Sequence, residues 1–208
     1  MDNSFGEPGT KPSFYADPGD PTIPSDTRRQ LVLRIHILVI LGGLLTLAIL
    51  AQDASAGGVR LELRAYPAGL IGGIGGEVSL GESDIALMHA GYNATDRHDW
   101  GEHSDESGGG IGLGVGWLHR LRSAANGWIA GARLDYWQMG INWEDPGRSG
   151  HTEMGVIQPT LTGGYRWDGA GSFLEASLSF GHELNVSVEG EDVGQGWILL
   201  AGVSGGWN

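Results

Sequence analysis

From Gly57 onward, apolar side chains recur at every second position in runs of about ten residues, and clusters of Gly, Asp, Asn and Ser separate the runs. That period belongs to β-strands with two different faces, and no helical period persists anywhere in this part of the chain. The pattern predicts eight strands, at 58–66, 73–81, 84–94, 110–121, 127–142, 154–167, 172–187 and in the closing stretch GWILLAGVSGGWN. On the first, Val59, Leu61, Leu63 and Ala65 oppose Arg60, Glu62, Arg64 and Tyr66. On the fifth, Trp128, Ala130, Ala132, Leu134 and Tyr136 oppose Gly131, Arg133 and Asp135. The third, DIALMHAGYNA, is apolar on both faces in places and is the least regular. Predicted connections alternate between tight turns at 82–84, 123–126 and 168–171 and longer, more charged segments at 67–72, 95–109, 143–153 and 188–195.

The residues before Gly57 have another texture. Residues 1–27 are rich in Pro, Gly, Asp and Ser, a composition that buries too little apolar surface to offset the entropy of ordering, and predicts a disordered extension. Residues 28–56 come next, with Arg28, Arg29 and Arg34, an apolar run at 35–51, and the small-residue site Ala54-Ser55-Ala56. This is the three-part layout of a secretory signal peptide cleaved after Ala56. The alternative is a signal anchor that stays in the membrane with the tail inside, for which the apolar run is near the lower length limit.

Period two alone does not say which face is inside. A soluble lipocalin-like barrel keeps its apolar face inward, whereas a membrane barrel turns it outward. Aromatic residues decide for the membrane: Trp117, Trp128, Tyr136, Tyr165, Trp197 and Trp207 sit near strand ends in the apolar phase. Trp197 and Trp207 bracket the last strand. At about 3.3 Å per residue and a tilt near 40° they lie roughly 25 Å apart along the barrel axis, the height of an outer-membrane apolar band. The opposite phase carries Arg60, Arg64, Arg133 and Arg166 with Glu62, Glu77, Asp135, Glu175 and Glu183, a set able to pair inside a narrow barrel. A solvated face of a soluble sheet is the plain alternative for these charges.

Composition narrows the function. The chain has 38 glycines without a G-X-Y period, no cysteine, and a formal net charge of -13. Disulfides and thiolate-bound metal are excluded, and an acidic balance disfavours nucleic acid as a partner. The segment TDRHDWGEHSDESGGG gathers His98, Asp99, Glu102 and His103 with Asp105 and Glu106, imidazoles and carboxylates suited to divalent metal. The spacing matches no ordered metal site, and a solvated acidic loop is the expected reading. No cofactor is implied.

An export signal, eight alternating segments and a last strand with Trp197 and Trp207 in phase resemble the small outer-membrane barrels of the OmpA/OmpX type, over residues 57–208. The resemblance implies an all-β, eight-stranded antiparallel up-and-down barrel in the cell outer membrane. It also implies lipid contacts that include lipopolysaccharide, and recognition of the C-terminal strand by the barrel-assembly machinery. That family commonly ends on the aromatic itself, whereas here Asn208 follows Trp207. Some members modify lipid A, the deacylase type through a His, Ser and Glu constellation. The histidines to weigh for that are His182, beside Glu183, and His89, neither in a His-x-Ser stretch. The reading is therefore a structural or surface-interaction barrel with a packed charged lumen rather than a general diffusion pore. The alternatives are a lipid A-modifying enzyme and a soluble periplasmic barrel for a small apolar ligand.

Overall fold

The computed structural model describes residues 57–98, 101–122 and 126–207. The expected N-terminal extension at 1–27 and signal segment at 28–56 lie outside the described residues, as do Asp99 and Asn208. Eight strands run in sequence order: β1 (Gly57–Tyr66), β2 (Gly69–Leu80), β3 (Asp84–His98), β4 (Asp105–Arg120), β5 (Asn126–Asp145), β6 (Arg148–Asp168), β7 (Ser172–Glu189) and β8 (Gly196–Trp207). Each pairs antiparallel with the next, and β1 pairs with β8 from Val59↔Trp207 to Ala65↔Ala201, which closes the ring. Closure leaves no edge strand, and among the described residues the one irregular ladder is β6–β7, which shifts register at Gly155/Val156.

The strands are longer than the apolar pattern alone marks, and the connections shorter. β2 starts at Gly69, β3 runs on to His98, and β5 and β6 reach Asp145 and Arg148. The expected loops at 67–72 and 143–153 shrink to two-residue turns, 67–68 and 146–147, the second with Gly147 at φ 85°. The reason is physical: above Tyr136 the outer face of β5 turns polar (Gln138, Asn142, Glu144) while Met139, Ile141 and Trp143 still face inward and are buried. A ladder with a wet outer face carries no apolar alternation to mark it. Pairing through Gly108↔Ile141 and Gly110↔Met139 shows that ESGGG, which reads as loop, is strand.

The two phases part along most of each strand, with breaks where Ile85, Ala86 and Leu87 of β3 and Met154, Gly155 and Val156 of β6 are buried in succession. Leu61, Ile74, Ile111, Leu134, Leu161, Leu178 and Leu199 point outward and are exposed, while Arg60, Arg64, Asp135, Gln158 and Glu175 point inward and are buried. The inner face of β4 is glycine from Gly108 to Gly116, which lets the large inward side chains of β5 lie flat against its backbone. A Cβ on Gly112 would overlap the ring of Trp137 and the carbonyl of Tyr136, whereas one on outward-facing Gly163 would meet nothing within 4 Å. Gly112→Leu should therefore cost about 1–3 kcal/mol of unfolding free energy, measured by urea titration in micelles, through overpacking. Gly163→Leu should leave stability unchanged or raise it.

Candidate functional site: the charged lumen and its closed mouth

The inside of the barrel is layered. At the end with turns 81–83 and 169–171, Ile85, Leu87, Leu118 and Ile129 form a small apolar cluster. Above it, Arg60 of β1 is paired with Glu175 of β7 (3.1 Å) and Glu77 of β2 (3.4 Å), and bonds Ser204 of β8 at 2.8 Å. Arg166 of β6 donates to Glu77 at 3.0 Å, and its guanidinium lies 3.7 Å from the ring centre of Phe173. One step further, Glu62 accepts from Arg133 at 2.9 Å and lies 3.0 Å from Arg64, which donates to Asp135 at 2.7 Å. Four arginines thus meet four carboxylates across the lumen, drawn from β1, β2, β5, β6 and β7, all buried. His89 lies among them, with Nδ1 2.9 Å from Arg133 and Nε2 3.2 Å from Asp135. Arginine only donates and carboxylate only accepts, so a neutral ring protonated on Nε2 satisfies both contacts.

Glu183 stands apart from that network. It accepts from Arg97 at 2.8 Å and from Gln158 at 3.1 Å. A second apolar cluster, built on Trp137, Met139, Ile141, Met154, Ile198 and Leu200, fills the lumen toward the mouth. Arg97 and Glu106, which the sequence assigns to a solvated acidic loop, face inward and are buried, Glu106 fully. The signal for Arg97 was present: Asn93, Thr95 and Arg97 continue the inward phase of His89 without a break. Glu106 carries no such signal, because its inward neighbours on β4 are glycines.

Asp99 lies outside the described residues, and the described metal candidates His98 and His103 point to different sides of the β3–β4 connection. His98 lies on the outer face of the β3–β4 hairpin, its ring nitrogens 2.9 Å from Asp105 and 3.2 Å from Asp96, a surface group of three whose ligand atoms lie within 4.8 Å of one another, with His98 and Asp96 exposed and Asp105 half-buried. His103 is turned the other way, with its ring stacked on Trp143 at 4.2 Å. The Glu102 backbone N–H donates to Glu106 at 2.7 Å. His182 faces outward at the rim, edge-on to Trp197 at 5.0 Å.

Outward aromatics fall at two levels. Trp117, Trp128, Tyr165 and Trp207 lie at the end with turns 81–83 and 169–171, with Tyr165 5.4 Å from Trp128 and 4.9 Å from Trp167. Tyr136 and Trp197 lie toward the other end, and Trp197 stacks on Phe180 at 5.1 Å. Between these levels the exposed side chains are aliphatic, among them Leu134, Leu178, Leu199 and Val203.

No protein-family profile matches the sequence, and no curated protein matches it. Solved structures similar in architecture include the following three. Neisserial surface protein A (NspA) is 12% identical, with a TM-score of 0.46 over 71% of this chain and 92% of that one. The N-terminal β-barrel domain of Pseudomonas aeruginosa OprF is 14% identical, with a TM-score of 0.45 over 73% and 96%. A major outer membrane protein from Thermus thermophilus is 14% identical, with a TM-score of 0.47 over 73% and 98%. These likenesses are of overall architecture and transfer no residue's role to this chain.

Removing one partner of a buried ion pair leaves the other charge uncompensated, typically at about 3–5 kcal/mol. Arg133→Leu, which leaves the buried network one positive charge short and Glu62 with Arg64 and Arg60 alone, should lower unfolding stability in micelles far more than Arg148→Leu at the exposed rim. Equal effects would mean that the lumen is hydrated enough to screen its charges.

Proposed function

We propose that the chain is a small outer-membrane β-barrel of a Gram-negative-type envelope, with a structural or surface-interaction role. One observation carries the reading: a continuous outward belt of exposed aliphatic side chains, bounded by aromatic residues at both levels, on a barrel whose inside is charged. In water such a belt is an aggregation surface far beyond the patches that soluble proteins leave exposed. In a bilayer it needs no protein partner, and the closed ring presents no open sheet edge to hydrocarbon. Trp and Tyr suit the two levels because their rings are apolar and their polar atoms reach headgroups or water.

Buried ion pairs spanning the lumen support a filled interior over a diffusion pore, since an eight-stranded barrel is only wide enough for side chains to fill. The soluble-barrel alternative needs the opposite order of faces. For the lipid A-modifying alternative, His89 is held within the ion-pair network and His182 packs on Trp197, and neither placement supports a surface constellation. Under this reading the outward belt meets lipid, including lipopolysaccharide, and the β8 strand with Trp207 is what the barrel-assembly machinery would engage. The carboxylates of Asp96, Glu144, Glu153 and Glu189 at the far end would meet anionic lipid only through bridging divalent cations.

Two measurements test this. The expressed chain should fractionate with outer membranes and change its gel mobility on boiling; recovery from the soluble periplasm would overturn the reading. A lysine is costliest at mid-membrane, about 2–4 kcal/mol, and nearly neutral at the rims. Ala201→Lys should therefore impair assembly more than Gly205→Lys, both being outward-facing on β8. Equal tolerance would place this face outside a bilayer.

A further inference from the structure

The connection 190–195 between β7 and β8 bends over the barrel mouth rather than away from it. Val193 is buried in the apolar cluster of the upper lumen. Carbonyls of the connection are held from the rim: Glu191 by Thr152 at 2.8 Å, Val193 by Asn185 at 3.0 Å, and Gly194 by Arg97 at 2.6 Å. The carbonyl of Asp192 lies 3.0 Å from Nε2 of His103, which belongs to the neighbouring connection between β3 and β4.

The ring of His103 is fixed on three sides. It stacks on the Trp143 indole with an interplanar angle of 11°, and its Nδ1 lies 2.9 Å from a carboxylate oxygen of Asp145. Both of its hydrogen-bond partners, a carbonyl and a carboxylate, can only accept. A neutral imidazole has one N–H and serves one of them; the imidazolium serves both. The closed arrangement is therefore complete only with His103 protonated.

Charged groups face this ring from every element around it. β5 supplies Asp145, which is also paired with Arg148 of β6 at 2.8 Å. β4 supplies Glu106, whose carboxylate accepts from the backbone N–H groups of Glu102, His103 and Gly194. Arg97 of β3 and Glu183 of β7 lie beyond Glu106, and the connection itself carries Glu191, bonded to Arg148, and Asp192.

We propose that His103 is a proton-operated latch for a lid formed by residues 190–195. Protonated, it ties the lid to the Asp145 rim and covers the apolar upper lumen. Deprotonated, it keeps one of its two bonds, the lid rests on its holds from Thr152, Asn185, Arg97 and Glu106 alone, and Val193 leaves its seat more often. The hydrogen bond that His103 donates to Asp145 raises the His103 pKa above the ordinary histidine value, and the Asp192 carbonyl and Glu106 add to this. Asp145 is held down to about 2, first by its hydrogen bond with His103, so its charge stays constant while the histidine titrates. With the folded-state pKa of His103 raised, the latch is fully made below the ordinary histidine range and is lost as pH rises through the raised value. The lid opens on the alkaline side.

The chain has no cysteine, so Val193→Cys introduces a single thiol at the lid's seat. Its modification rate in micelles is divided by that of Ser149→Cys on the exposed rim, each first corrected for its own thiolate fraction from a thiol titration. The ratio should rise at least about tenfold between about pH 6 and pH 9. Adding His103→Gln should leave the ratio high and independent of pH. Adding Asp145→Asn should move the midpoint to lower pH, because the group that raises the histidine's pKa is gone. A flat ratio in the parent, a step that survives His103→Gln, or a midpoint unmoved by Asp145→Asn would each overturn the latch. If His103→Gln does not fold, the direction of the Asp145→Asn shift decides alone.

Discussion

Everything in this molecule depends on the pairing of β1 with β8. Once the ladder closes, each strand has only two places to put a side chain: into a space wide enough for side chains alone, or onto the outside. The inside is too narrow for bulk water, so a charge placed there must meet its opposite. The pairings of Arg60, Arg64, Arg133 and Arg166 with Glu62, Glu77, Asp135 and Glu175 are the result, with two or three partners per guanidinium. The outside then has no further protein to pack against, and it is there that Leu, Val, Ile and Trp accumulate.

Glycine is what makes such an interior possible. Long arginine and tryptophan side chains can lie across the lumen because the facing wall at β4 has none of its own. The same glycines weaken local strand propensity, so β4 is held by its neighbours rather than by itself. Strand length is uneven around the ring: β5 and β6 run on well past the β1–β2 turn at 67–68. The inner face of that taller side, with Trp143 and Ile141, would be open to water without a cover, and the 190–195 connection supplies one through Val193.

Much of this was legible in the sequence, for a reason tied to particular residues. Where one face is charged and the other apolar, as in Arg60–Leu61–Glu62–Leu63–Arg64, alternation identifies strand, phase and partition together. Where the chain leaves the apolar belt, the signal changes character. Gln138, Asn142 and Glu144 alternate with buried Met139, Ile141 and Trp143, and glycines interrupt the opposing strand, so the extended hairpins read as loops. The long-range pairings of the mouth, such as Glu106 with Gly194 or His103 with Asp192, depend on which connection folds inward, and no local pattern encodes that. Residues 57–66 and 196–207 were the most readable because they combine strict alternation with tryptophan or arginine markers.

The central claim, that the apolar face of the barrel looks into lipid while the charged face is enclosed, is tested most directly by a depth profile along the outside of β5. Nitroxide labels placed one at a time at Ala130, Ala132, Leu134, Gln138 and Asn142, all outward-facing, would be compared in bilayers for collisions with oxygen and with a water-soluble nickel complex. The account predicts preference for oxygen at Ala130, Ala132 and Leu134, strongest at mid-belt, and a crossover to nickel beyond Tyr136, at Gln138 and Asn142. Nickel access at Ala132 and Leu134 equal to that at Asn142 would contradict it.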